Sequence, residues 1–263
     1  MYRICTIQGG LNGSMDVKSI IIIVVCAVII AALIAVPFFL RRRNPGRTLS
    51  PLGNAISWVI IYALFSFMPI SSHILELILR VVILIILFAE LFFTRKLGSA
   101  GIAMPRGSLF GFLFYVPMAA IVGLFFVGGK NFSGEVIVPI IEKTLLFVAG
   151  EVIFTGLLFK SLSERNLLLA YASRMFIMPI IVLATGFFWK ISSVMDLIMM
   201  FVMNVSFGFM SAAYFRKSGS ILPLIVFTAA TAALSVICTI PVYIYIVISV
   251  IAAGYGVWML WRA

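Results

Sequence analysis

Imidazole is almost missing from this sequence, and so is thiol: its 263 residues include one histidine, His73, and three cysteines, Cys5, Cys26 and Cys238. No CxxC occurs and two of the cysteines sit in apolar runs, which leaves no basis for a disulfide framework or a thiolate metal site. His73 lies in the short Ile70-Ser71-Ser72-His73 connection and reads as a solvated loop residue. Charge is scarce as well. Only 10% of the residues are charged and only 8 are acidic. What fills the chain is apolar side chain, 64% of the residues, at a mean hydropathy of +1.25. A soluble domain cannot hide that much apolar surface, whereas each helix crossing a bilayer needs roughly 20 apolar residues. The segments are continuously apolar and do not alternate with polar residues, which excludes an outer-membrane β-barrel. The expected fold class is all-α, a polytopic transmembrane helical bundle of about eight to nine membrane helices.

The net charge of +11 would suggest nucleic acid in a soluble protein. Here the basic residues fall in short loops between apolar runs, where the positive-inside rule accounts for them, and nucleic acid is not an expected partner. Residues 1–16 read as a short polar tail. Val17 to Leu40 is an apolar run too long for a signal-peptide core, and Arg41-Arg42-Arg43 follow it, so it reads as an uncleaved first helix. Asn44 to Gly53, with Pro45, Gly46, Pro51 and Gly53, reads as a loop. Further helices are expected over about 55–68, 72–94, 108–127, 134–160, 167–189, 194–215, 221–239 and from Pro241 to about Trp261. Pro139 interrupts the 134–160 segment, which reads either as one tilted helix or as a short piece followed by a helix. Pro179 is expected to kink its helix. With the N-terminus outside, the basic groups at 41–47, 95–106, 160–165, 216–217 and 262 all fall on the cytoplasmic side, with the C-terminus. Only Lys18, Lys130 and Lys190 fall outside, which fits nine crossings, or eight with one re-entrant segment. The chain divides into the tail 1–16, N-terminal membrane helices over 17–133 and a membrane core over 134–263.

Within so apolar a chain the carboxylates stand out. Glu76 and Arg80 are four apart in the favourable order and are expected to pair on one helix face. Glu142 and Glu151 lie inside one apolar run. A charge in hydrocarbon is costly, and an intramembrane glutamate normally faces the bundle interior or a wet cavity. Glu151 is therefore the first functional candidate, beside the plainer reading of a hydrogen-bonded structural residue. Arg174 either snorkels to the cytoplasmic headgroups or neutralises Glu151 inside the bundle. Asn204, Ser206, Thr228 and Thr231 are intramembrane polar groups that ordinarily hydrogen-bond between helices. Asp196 complements the N-terminus of its helix. Met195, Met199, Met200, Met203 and Met210 form adaptable apolar filling. No His or Cys joins them, so neither metal nor cofactor is expected.

Two stretches together resemble one family. The first is Gly150-Glu151-Val152-Ile153-Phe154-Thr155-Gly156-Leu157-Leu158-Phe159. The second is Phe207-Gly208 followed by Tyr214-Phe215-Arg216-Lys217-Ser218-Gly219-Ser220-Ile221-Leu222-Pro223-Leu224-Ile225. Their order and separation resemble the CPBP family of intramembrane proteases, which includes the type 2 CAAX prenyl proteases and the Abi-like bacteriocin-processing or self-immunity proteins. The resemblance covers about Gly150 to Ala233 and makes 134–263 a CPBP-like membrane core. Members carry a Glu-Glu-x-x-x-Arg-Gly run and a later Gly-Ser-x-x-Pro-type turn. The first Glu of the pair serves as general base for a water, and two histidines and an asparagine complete the site. Residue by residue, the first Glu falls on Gly150, the second on Glu151 and the Arg on Thr155. The first His falls on Ile180, the second on Thr228 and the Asn on Ala232. With His73 the sole histidine, no shift of register supplies the missing imidazoles. The resemblance therefore implies the scaffold and a cavity lined by Thr155, Arg174, Asn204, Thr228 and Thr231, with Glu151 as the remaining catalytic candidate. It implies a pseudoprotease that binds a membrane protein or a lipidated peptide within the bilayer. Two alternatives stay open. One is an active endopeptidase with an altered site around Glu151. The other is a transporter or channel component with a wet path past Glu76, Glu90 and Glu142, although no internal repeat supports it.

Overall fold

The computed structural model describes residues 17–43, 50–68, 73–94, 97–98, 100–102, 110–127, 129–130, 136–188 and 193–261. The tail 1–16, the basic positions 95, 96 and 106, and the turn at 190 lie outside these residues. Among the described residues the chain forms nine helices and one pair of two-residue strands. In order they are α1 (Val17–Arg43), α2 (Pro51–Phe67), α3 (His73–Phe93), α4 (Phe110–Phe125), β1 (Gly129–Lys130), α5 (Ile137–Ser163), α6 (Leu167–Phe188), α7 (Val194–Ser218), α8 (Leu222–Ile237), β2 (Cys238–Thr239) and α9 (Val242–Trp261). Four of these helices, α5, α6, α7 and α9, are long and apolar enough to cross a membrane.

The burial pattern is that of a protein whose surroundings are apolar. Large hydrophobic side chains such as Val28, Ile85, Phe187 and Val250 point outward, while Glu151, Arg174, Thr155, Asn204 and Ser211 are buried. In water the reverse polarity would prevail, because polar groups go inside only when paired. The interior is nonetheless mostly hydrocarbon. Ile121, Val152, Phe154, Met210, Leu224 and Ile248 are shielded completely.

Local chemistry explains the helix ends. Pro51, expected in a loop, is instead the first residue of α2: its missing N–H costs nothing there, and the Ser50 hydroxyl accepts from Gly53 N at 3.1 Å. Ser193 caps α7 by accepting from Asp196 N at 3.1 Å, and its hydroxyl donates to the Asp196 carboxylate at 2.8 Å. Gly219 ends α7 in the left-handed region, φ 67°, with its N–H on the Phe215 carbonyl at 2.8 Å. Pro223 then sits in the first turn of α8. Between them the Ser218 hydroxyl accepts from Ser220 N, and the Ser220 hydroxyl accepts from Leu222 N. Ile221 N reaches across to the Gly101 carbonyl at 2.9 Å, which ties the loop before α4 to this turn.

The segment around Pro139 is one continuous helix. Pro139 stands in its first turn, where a missing donor is harmless. From Glu151 to Phe159 the helix adopts the wider π geometry and then closes with one α-turn, Lys160–Ser163. This stretch is the hub of the bundle, touching α2, α6, α7 and α8. The α part of α5 packs on α3 and α8, α7 packs most extensively on α9 and α6, and α1 rests on α2. β1 and β2 pair antiparallel, Gly129 opposite Thr239 and Lys130 opposite Cys238, and so join the end of α4 to the end of α8.

Candidate functional site

Glu151 is the first residue of the π stretch, and its side chain is 3% exposed. One carboxylate oxygen, Oε1, accepts from the Thr155 hydroxyl one turn on, at 2.6 Å. The other, Oε2, accepts from the Arg174 guanidinium at 2.7 Å. Arg174 Nε in turn donates to Thr155 Oγ1 at 2.6 Å, and its remaining nitrogen faces the Met178 sulfur at 3.9 Å. The three side chains close a ring in which every bond has a charged member. Charge-assisted bonds of this kind are the strong ones. Arg174 thus pairs with Glu151 inside the bundle and does not reach the headgroups. Its own helix brings it there, because α6 packs directly against the π stretch. Pairing offsets part of the burial cost: a carboxylate and a guanidinium each lose several kcal/mol of solvation on burial, and their mutual attraction and the Thr155 bonds counter it.

Gly208 sets how closely α7 approaches α6 at the level of the ion pair. A β-carbon there would lie 2.6 Å from the Arg174 carbonyl oxygen and 3.1 Å from Met175 Cα. Only a residue without a side chain lets α7 approach the α6 backbone so closely at the level of the ion pair.

The ion pair forms one wall of a cavity with room for the centres of water molecules over about 50 Å3, enough for several waters. Its lining follows helical periodicity. On α5 it is Lys143, Phe147 and Glu151, each four residues from the last; on α6 it is Arg174 and Met178. α7 supplies Met200, Met203, Asn204, Phe207 and Ser211, and α8 supplies Phe227, Thr228, Thr231, Ala232 and Ser235. Phe125 of α4 and Tyr245 of α9 complete it. Of the residues expected around a cavity, Glu151, Arg174, Asn204, Thr228 and Thr231 are on its wall. Thr155 is not: it lies beneath, fully buried, bonding both members of the ion pair.

The positions singled out by the family resemblance separate in space. Thr228 and Ala232 line the cavity. Gly150 lies beside it, where a β-carbon would meet Met178 Cε at 3.2 Å and the Tyr62 hydroxyl at 3.3 Å. Ile180 faces outward, 51% exposed, so the cavity side of α6 belongs to Arg174 and Met178. Gly150 therefore leaves little space for any larger side chain. Lys143, Met178, Phe207 and Tyr245 were not anticipated as lining. For the α5 residues the signal was present, since Lys143, Phe147 and Glu151 keep the spacing of one helix face.

The other carboxylates of the apolar helices are held elsewhere. Glu76 and Arg80 form the expected ion pair on α3. Glu90 accepts from the Asn54 amide at 2.7 Å and from the Trp58 indole at 2.8 Å. Neither these two nor Glu142 is on the cavity wall. No group of three or more His, Cys, Asp or Glu suited to a metal occurs among the described residues. No protein-family model, curated protein or solved structure matches the chain.

Proposed function

We propose that this is an integral membrane protein of eight or nine spans, with its N-terminus outside and its C-terminus cytoplasmic. In this reading the 134–263 core has a CPBP-like architecture and uses its cavity to hold a membrane-embedded polypeptide without cleaving it. The observation that carries the reading is the closed ring of Glu151, Thr155 and Arg174. A general base for water needs a free carboxylate within hydrogen-bond reach of that water, with further groups placed to stabilise the oxyanion. Here both carboxylate oxygens are engaged and their charge is met by a guanidinium. The cavity wall carries no imidazole. Position 150, where the resemblance would seat the base, is a glycine packed against Met178 and Tyr62. A paired, non-reactive polar site facing an apolar cavity suits recognition, because it can offer hydrogen bonds to a chain that finds none in hydrocarbon.

The test is site-specific photo-crosslinking in native membranes from Asn204 and Thr228. One membrane polypeptide captured from both positions, and lost when Thr228→Trp fills the cavity, is the expected result. Capture at neither position sinks the reading. Cleavage of a membrane-tethered peptide by purified protein, abolished by Glu151→Gln, replaces binding with hydrolysis.

A further inference from the structure

The cavity is small, and both its size and its mouth bear on what it can hold. Room for the centres of water molecules over about 50 Å3 corresponds to about four waters at 10–15 Å3 each. Four heavy atoms make up one leucine or one methionine side chain, against seven in phenylalanine. Much of the polar wall is already bonded within the protein. The Asn204 amide donates to the Met200 carbonyl at 2.7 Å, the Thr231 hydroxyl to the Phe227 carbonyl at 3.0 Å and the Ser235 hydroxyl to the Ala232 carbonyl at 2.7 Å. Glu151 and Arg174 hold each other. An occupant need not supply hydrogen bonds to these groups, and the Phe and Met side chains of the wall offer it dispersion contact. The lining on α4, α6 and α9, formed by Phe125, Arg174, Met178 and Tyr245, is buried. Phe147 on α5 and Met200, Met203 and Phe207 on α7 are only half-buried. The cavity therefore opens between α5 and α7, part-way along both, where Ile141 and Val202 on the same helices are exposed.

We propose that the cavity admits one apolar side chain of leucine or methionine size, presented by a transmembrane helix that lies against α5 and α7. This deepens the polypeptide reading and rests on it. Between helices in lipid there is no hydrophobic driving force, and association comes from van der Waals packing. A hole sized for one side chain therefore selects by fit: a smaller residue leaves part of it empty, and a larger one does not enter. The flexible thioethers of Met178, Met200 and Met203 adapt the wall to the branched shape of leucine or the linear shape of methionine. They adapt shape at nearly constant volume, so the size limit stays.

The experiment measures energy transfer in phosphatidylcholine vesicles between the labelled full-length protein and a labelled, Lys-flanked transmembrane peptide of alanines carrying one central guest residue. Leucine and methionine guests should bind about tenfold tighter than the all-alanine peptide, because alanine leaves the hole unfilled, and a tryptophan guest should bind no better than alanine. Met203→Ala removes three heavy atoms from the wall and should move the preference from leucine to phenylalanine. Met200→Ala makes the same change to the wall if Met203→Ala fails to fold. An unchanged preference in both variants overturns the proposal. Equal binding of all guests overturns it and leaves the polypeptide reading standing. An aspartate guest that binds better than leucine also overturns it, because charge and not fit would then decide. Binding of no peptide overturns it as well, and a membrane polypeptide captured from Asn204 and Thr228 would still uphold the earlier reading.

Discussion

Glu90 and Glu151 are both carboxylates inside an apolar bundle, and they are stabilised in opposite ways. Glu90 is held between α2 and α3 by two neutral donors, the Asn54 amide and the Trp58 indole, and lies away from the cavity. Glu151 is held between α5 and α6 by a guanidinium and a hydroxyl, on the cavity wall. Neutral donors satisfy lone pairs but leave the net charge in place. A guanidinium removes the net charge, and it does so beside a space that admits water. The difference teaches that the first is a packing contact between helices and the second an ion pair whose charges border a cavity.

The comparison breaks most severely at Arg174. Arg174→Met strands the Glu151 charge in the interior, and breaking one side of a buried pair costs about 3–5 kcal/mol. Thermal unfolding in detergent should show a large loss of stability, and adding Glu151→Gln should restore most of it. If the single variant unfolds like the wild type, the pair does not hold the bundle. Gly208→Ala comes next. Its β-carbon would stand 2.6 Å from the Arg174 backbone carbonyl, which cannot swing aside as a side chain can. Overpacking of this kind costs about 1–3 kcal/mol and should be read in the same unfolding assay.

Trp58→Phe sharpens the other half of the comparison. It removes one neutral donor from Glu90 together with part of a buried ring, and should cost about 1–2 kcal/mol. A loss as large as that of Arg174→Met would mean that the two carboxylates are not different in kind. Smallest is Glu76→Gln, which cancels a pair four residues apart on one helix and should change stability by about 0.2–0.5 kcal/mol.

Much of the architecture was legible because hydrophobicity along a chain is local information. Apolar runs, proline positions and the Ser-Gly-Ser turn are read residue by residue, and the helices begin and end close to where those signals stand. The Glu76–Arg80 pair was legible for the same reason, since one helix turn determines it. Pro51 was misplaced because a proline that ends a loop and one that begins a helix look alike until the Ser50 cap is seen. The strands at Gly129 and Cys238 left no signal, because two residues carry no periodicity.

The tertiary structure decided what happened to the charges. The continuous apolar runs placed this chain among helical proteins suited to hydrocarbon, because a helix satisfies its own backbone there and a closed barrel, the other fold that does, would alternate apolar with polar residues. Whether Arg174 turned outward or inward could not be settled by composition. Both destinations lie within reach of a long flexible side chain, and only the packing of α6 on the π stretch brings it to Glu151. The same holds for Lys143, Asn204 and Thr228. Each is an ordinary polar residue on its own helix, and they become one cavity because α5, α7 and α8 meet.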